Sequence, residues 1–335
     1  MLHKFQKKII VLGTGGTIAG RALEAADNVG YTAAQLGVGE LLAEIPMLAD
    51  LPGDVVSEQV AQVDSKDMDI TVWQKLLMRT AHWLGQADVQ GVVITHGTDT
   101  LEETAFFLHL ALPGDLLARK PVVLTCAMRP ATALNPDGPQ NLLDAVAVAL
   151  SEKANGVVAV CAGTVHSAMD VQKVHTYRLD AFSSGDAGPV GYVEEGAVRL
   201  LRGWPGAPAT RANNVGRVES LVDLLSSKRH WPRVEILSSH AGASGLVVDA
   251  LLAQSATGSA EPLAGIIVAG TGNGTLHHAL EAALLRAMHR GIAVRRSTRC
   301  ASGRVLPTVH QTIPDARGLS SVKARIALMF ELMAV

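Results

Sequence analysis

Threonine hydroxyls set among glycines mark the first place in this sequence where chemistry concentrates. In "KKIIVLGTGGTIAGR" (7–21) a short apolar run breaks into Gly13, Gly15, Gly16 and Gly20, with Thr14 and Thr17 among them. Glycines at a strand exit usually let backbone approach a ligand closely, most often a phosphate. Neither phosphate pattern fits. G-x-G-x-x-G begun at Gly13 meets Ile18 where the last small residue belongs, and Gly15 to Gly20 is followed by Arg21 and Ala22 instead of Lys and a hydroxyl residue. The turn reads as one that presents a nucleophile.

A second hydroxyl-rich turn lies in "GVVITHGTDTLEETAFFL" (91–108), where His96 to Thr100 follow another apolar run. Thr100-Leu-Glu-Glu103 has the capping-box spacing and predicts a helix starting at Thr100. Thr98 and Asp99 then sit in the turn, near the positive end of that helix. Two such turns at strand exits of one sheet point into one crevice. No metal is expected there. The 12 histidines include no H-E-x-x-H, and the adjacent His277 and His278 should diverge on a helix.

The elements that must position these turns alternate in type. "IIVLG", "GVVITHG", "PVVLTCA" and "GVVAVCAG" read as strands buried on both faces, as in a parallel sheet. "TVWQKLLMRTAHWLG" puts Trp73, Leu76, Leu77 and Leu84 on one helical face, and "DGPQNLLDAVAVALSE" opens with the capping spacing Asp137 to Gln140. This is a doubly wound α/β domain, a fold that binds ligands beyond the carboxyl ends of its strands. After the Gly- and Pro-bearing stretch 200–217, "RVEILSS", "GIIVAG" and "IAVRRS" begin a second, smaller parallel α/β pattern, whose long helix should stop at Gly291. The predicted division is a catalytic domain over 1–205, a connection over 206–230 and a C-terminal domain over 231–335.

Composition excludes several classes. Apolar residues make up 48% and charged residues 18% of 335, an ordinary globular balance. A net charge of -2 without a basic run argues against nucleic acid as a partner. No stretch is long and apolar enough to span a membrane, and the opening "MLHKFQKKIIVLG" is too short in its apolar part to read as a secretory leader. Cys126, Cys161 and Cys300, odd in number and widely spaced, suggest reduced thiols in the cytoplasm, two of them buried and inert.

The motifs "TGGTIAG", "THGTDTLEET", "AMRPAT…DGPQNL" and "GTGNGTL" occur in an order and at separations that resemble the bacterial-type L-asparaginase/glutaminase family, whose nucleophile is a threonine. The resemblance covers nearly the whole chain. It implies a large and a small α/β domain, usually in a homotetramer of intimate dimers, and an amino-acid substrate without a cofactor. It implies Thr17 as nucleophile with Tyr31 as its hydroxyl partner, and Thr98 with Lys173 as the second hydroxyl and its amine. Asp99 would hold the substrate's ammonium and Ser65 its carboxylate. The N–H groups of Thr98 and Ala127 would form the oxyanion hole, and Asn273 would reach the site from a neighbouring subunit. Tyrosine and lysine have reference pKa values of about 10 and 10.4, so the base that activates Thr17 stays open.

Two departures stand out. Lys66 follows Ser65 where the family usually has Gln, and the segment before the last helix, which commonly supplies an acid in trans, carries only Asp315. The expected activity is hydrolysis of L-asparagine to L-aspartate and ammonia. The alternatives are a glutamine-preferring amidohydrolase, an ammonia-supplying amidotransferase subunit (no extra tRNA-binding domain is evident) and a non-catalytic amino-acid sensor.

Overall fold

The computed structural model describes residues 7–51, 53–206, 218–228, 230–256, 261–309 and 311–333. They fall into two compact units, Met1–Ser227 and Lys228–Val335. The first is built on strands β1 (Lys8–Gly15), β2 (Asp54–Val63), β3 (Val89–Thr95), β4 (Pro121–Thr125), β5 (Gly156–Cys161), β6 (Thr164–Ser167), β9 (Gly191–Glu194) and β10 (Ala197–Leu200), with a separate small hairpin of β7 (Gln172–Lys173) and β8 (Phe182–Ser183). The large sheet runs β10-β9-β6-β5-β4-β3-β1-β2. Its β5-β4-β3-β1-β2 part is parallel, as the apolar runs predict, while β6, β9 and β10 extend it antiparallel.

The runs are strands because both faces are covered. Ile9, Val11, Val93, Val123, Val158 and Val160 share one core cluster with Leu142, Val146 and Ala149. Their alternate neighbours Ile10, Leu12, Val92, Ile94, Val122 and Leu124 are equally buried and face the other side. The sequence reading missed β2 and the antiparallel extension. β2 is an edge strand whose positions are all half-buried or exposed, and β6, β9 and β10 have four residues each, too few for a periodic signal.

Helices α1 (Val38–Ala43), α2 (Ile70–Gly85), α3 (Leu101–Ala111), α4 (Gly114–Leu117), α5 (Gly138–Leu150) and α6 (Val218–Ser227) complete this unit. α2 buries the expected Trp73, Leu76, Leu77 and Leu84. Two helices start where expected but not through the expected caps. Thr100 caps nothing with its side chain, because its hydroxyl donates to the Ser65 carbonyl at 2.7 Å. Asp137 likewise makes no capping bond, because its carboxylate accepts the N–H groups of Met128 and Arg129, each at 2.9 Å. In both cases a loop takes the oxygen that the helix would have used. The segment 206–230 holds α6, which packs on α2 and α3. Within the stretch expected to be a surface connection, residues 207–217 lie outside the described ones.

The second unit is a parallel sheet of β11 (Arg233–Ser238), β12 (Leu263–Gly270) and β13 (Ala293–Thr298), in that order. Helix α7 (Leu246–Ala256) packs with α8 (His278–His289), and α9 (Ser321–Leu332) packs on all three strands. α8 stops as expected, with Gly291 at φ 84 just past its cap Arg290. The expected divergence of His277 and His278 is corrected. Their rings stack at 4.4 Å, because His277 precedes the helix in extended backbone and caps it by accepting the N–H of Ala279.

The strand order explains the glycines of the first turn. From β1 the chain moves outward to β2 and then crosses to β3 on the other side, so the order reverses between β1 and β3. Such a reversal opens a crevice at the carboxyl ends of the two strands. Here the crevice holds the second turn. A Cβ on Gly16 would fall on the Cα and N of Gly97, and Gly16 has φ 82 besides. Gly97 in turn has no room for a Cβ beside Ser65. The close approach that the glycines permit is therefore backbone on backbone. Gly16→Ala should cost at least about 1–3 kcal/mol from its strained backbone conformation, with the clash added. Gly196→Ala has a similar φ of 74 but nothing within 4 Å. Thermal unfolding should show the first variant clearly less stable than the second, and equal losses would mean that the contact between turns carries no energy.

Candidate active site

Thr17 stands at the head of a short 3-10 turn that follows β1, and its hydroxyl lies 2.6 Å from the Tyr31 hydroxyl. Thr14 is different. It is buried and donates to the Thr95 carbonyl at 2.8 Å, tying β1 to β3. Burial pushes the Tyr31 phenol above its ordinary pKa, with Asp64 and Asp99 adding to the effect and the Thr17 hydrogen bond opposing it. Tyr31 is therefore protonated at neutral pH and orients the Thr17 oxygen.

Opposite, Lys173 Nζ donates to Thr98 Oγ1 at 2.7 Å and to Asp99 Oδ1 at 2.6 Å. The β7–β8 hairpin carries Lys173, whose backbone N–H donates to Glu102 on the first turn of α3 at 3.4 Å. Thr17, Tyr31, Thr98, Asp99 and Lys173 line one cavity of about 170 Å³, together with Asn28, Val29, Met128, Thr176 and Tyr177.

The remaining expected residues belong to other elements of the two units. Ser65 is buried after β2 and clasps the second turn, its Oγ accepting the Asp99 N–H at 3.2 Å and its carbonyl accepting from Thr100. Lys66 turns outward, exposed and paired with Asp67. Ala127 is buried immediately before Met128, in a segment that Asp137 and Asn141 fix from the start of α5. Asn273 belongs to the second unit, where its amide donates to the Leu306 carbonyl at 3.0 Å and accepts the Leu306 N–H at 2.7 Å. Asp315 accepts the N–H of Arg317 in the same unit.

Sequence reasoning missed Asn28, Val29, Met128, Thr176 and Tyr177. Each is adjacent or nearly so to a residue it did find, and that proximity was the available signal. Tyr177 is placed by Arg129, which lies 4.1 Å over its ring and donates to its carbonyl. Among the described residues, no group of three or more His, Cys, Asp or Glu is placed to hold a metal ion.

The second turn is also held from beneath. Trp73 Nε1–H donates to Thr104 Oγ1 at 2.9 Å, which leaves the Thr104 hydroxyl to donate to His96 Nε2 at 2.9 Å. The proton of His96 is then on Nδ1, 2.7 Å from the Gly97 carbonyl. Every group in this chain donates once and accepts once where it can, so the imidazole is buried, neutral and satisfied.

The α/β crevice thus brings paired hydroxyl, amine and carboxylate groups to one cavity. The comparisons agree on the family. Residues 8–205 match the family described as Asparaginase, N-terminal, and residues 233–334 match the Glutaminase/Asparaginase C-terminal domain. The chain is 35% identical to L-asparaginase 2 of Bacillus subtilis over 97% of its length and 82% of that protein. It is 37% identical to the glutaminase-asparaginase of Pseudomonas fluorescens over 97% of its length and 86% of that protein. The crystal structure of the probable cytoplasmic L-asparaginase from Campylobacter jejuni superposes with a TM-score of 0.86 at 35% identity, covering 98% of this chain and 96% of that one. The chain belongs to the bacterial-type asparaginase family of amidohydrolases.

Burial lowers the His96 pKa from 6.5 to about 4. The unfolded chain then takes up this proton first, below the ordinary histidine pKa. Stability should fall as pH drops through the window from 6.5 to about 4, by about 3 kcal/mol in all for this one group. Denaturant unfolding at several pH values should show this slope in the natural protein, and His96→Asn should lack it. A histidine variant with the same slope would assign the acid sensitivity to carboxylates.

Proposed function

We propose that this protein is an L-asparaginase, hydrolysing the side-chain amide of L-asparagine to L-aspartate and ammonia. The observation that carries the reading is the convergence of the Thr17–Tyr31 and Thr98–Lys173 pairs on one cavity that also holds the Asp99 carboxylate. Thr17 Oγ1 attacks the amide carbon, and as the C–N bond breaks the threonine proton ends on the departing nitrogen. The N–H groups of Thr98 and Ala127 receive the developing oxyanion, a form of stabilisation that fixed donors supply without reorganising. Lys173 and Thr98 form a proton path that serves the departing ammonia. Water then attacks the acyl-threonine ester and frees the enzyme.

The substrate's ends need charge partners as well. Asp99 gives one carboxylate oxygen to Lys173 and has a second for the α-ammonium. Ser65 meets the α-carboxylate with backbone donors around it. Lys66, paired with Asp67, lies at the rim. A glutamine-preferring reading draws support from relatives named glutaminase-asparaginase. One methylene in a tight pocket separates the two substrates by about 1–3 kcal/mol, and asparagine, the shorter, is the preferred substrate in this proposal. The three free thiols and the cytoplasmic name of the Campylobacter relative support a cytoplasmic enzyme.

Ammonia release from L-asparagine and L-glutamine tests the whole reading. Thr17→Ala and Thr98→Ala should each lower kcat by at least about 10²-fold while remaining folded. Thr17→Ser keeps the hydroxyl and should retain part of the activity. A folded variant with near-normal turnover would remove that threonine from the mechanism.

The same reading makes the working form a homotetramer with Asn273 contributed in trans. Mixing Thr17→Ala chains with Asn273→Ala chains, after reversible dissociation, should give hybrids more active than either parent. Confirmed hybrids of two inactive parents that stay inactive would mean that each chain completes its own site.

A further inference from the structure

Cys126 and Cys161 take no part in the chemistry above, yet they stand directly beside it. Each follows the paired residues Thr125 and Val160 at the carboxyl ends of the parallel strands β4 and β5. Their Sγ atoms lie 3.2 Å apart, and both thiols are free and buried. The sequence reading of two unrelated inert thiols missed this, because 35 positions separate them and only the sheet register brings them together.

The backbone spacing suits a covalent bond. Neighbouring strands lie about 4.7–4.9 Å apart, within the Cα separations of about 4.4–6.8 Å that disulfides span. Closing the sulfurs to a bond of about 2.05 Å requires a movement of about 1.1 Å. The backbone that carries Cys126 is backbone the proposed site uses. Cys126 immediately precedes Ala127, and its carbonyl accepts from Asn141 Nδ2 at 2.9 Å. Asn141 Oδ1 accepts the N–H of Ala162, the residue after Cys161, at 2.9 Å. One side chain thus ties the two cysteine segments together, and drawing the sulfurs into a bond strains that tie.

We propose that Cys126 and Cys161 form an oxidation site at which a hydroperoxide makes an intramolecular disulfide, displacing Ala127 and lowering activity. With hydrogen peroxide, one thiol gives up its proton, the thiolate attacks a peroxide oxygen, the O–O bond breaks, and the leaving hydroxide takes up that proton, giving a sulfenic acid and one water. The second sulfur attacks the sulfenic sulfur, the S–O bond breaks, and a second water leaves as the S–S bond forms. Two thiols lose two hydrogens and two electrons, and the peroxide accepts both. The hydrogen bond to Cys161 and burial, with the charges of Cys161 and Asp137, push the Cys126 thiol well above its ordinary pKa, against a smaller pull from Lys173. The reaction is therefore slow at neutral pH and faster in alkali.

The loss of activity rests on the proposed role of the Ala127 N–H, whereas the covalent step does not. The test treats the full-length Cys300→Ser protein with hydrogen peroxide and reads non-reducing peptide maps beside ammonia release. We expect a cross-linked peptide pair containing Cys126 and Cys161, formed faster at alkaline pH. Activity should fall by at least about tenfold, less than complete removal of an oxyanion donor, and return with dithiothreitol. Cys161→Ser, with Cys161→Ala as a second variant, should lose this response. Both thiols remaining alkylatable, at a peroxide dose that oxidises Cys300 in the natural protein, would overturn the site. A disulfide with unchanged activity would overturn the coupling to Ala127. Absence of ammonia release before treatment would count against the asparaginase reading, and the peptide map would still decide the oxidation site.

Discussion

Gly16 rests on Gly97, and most of what distinguishes this structure depends on that contact. It exists because β1 lies between β2 and β3, so the chain reverses its strand order there and leaves two strand exits side by side. The exits meet without side chains between them. Any larger residue would wedge the turns apart. The hydroxyl of Thr17 sits one residue beyond this contact on one turn, and that of Thr98 one residue beyond it on the other. Their mutual placement is therefore a property of backbone packing.

A contact between two glycines buries little surface, so neighbouring elements help to hold it. His96, Thr104 and Trp73 support the second turn from within the core, Ser65 clasps it from the end of β2, and Lys173 reaches it from a hairpin. The two unformed helix caps belong to the same account. Thr100 and Asp137 have the residue types and positions of capping groups, yet each binds a loop beside the cavity. A helix N-terminus can leave an N–H to water at small cost, whereas a loop whose position matters needs a fixed partner. Asp137 and Asn141 together hold residues 126–129, which include the expected oxyanion donor and place Met128 at the cavity wall.

Much of this was legible in the sequence. The parallel strands, the buried face of α2 and the stop of α8 near Gly291 follow from short-range patterning, because burial on two faces leaves continuous apolar runs and a helix C-terminus favours glycine. Thr17 and Thr98 were legible for the same local reason, as hydroxyls in glycine-rich exits of apolar runs. The edge strand β2 and the short antiparallel strands were not, since half-exposed or four-residue segments carry too little periodicity to distinguish them from loops.

What only the tertiary structure decided are relations across the sheet. Failed phosphate patterns in the sequence left the purpose of the glycines open, and only the fold supplies Gly97 as their partner. The 35-residue separation of Cys126 and Cys161 carries no hint that their sulfurs lie 3.2 Å apart. Tyr177, at the cavity wall, is held by Arg129, which lies 48 positions away in the sequence. The sequence determines what each residue can donate, accept or bury, and those capacities are local. Which donor meets which acceptor is set by strand order and register, and that order is a result of the whole chain packing at once.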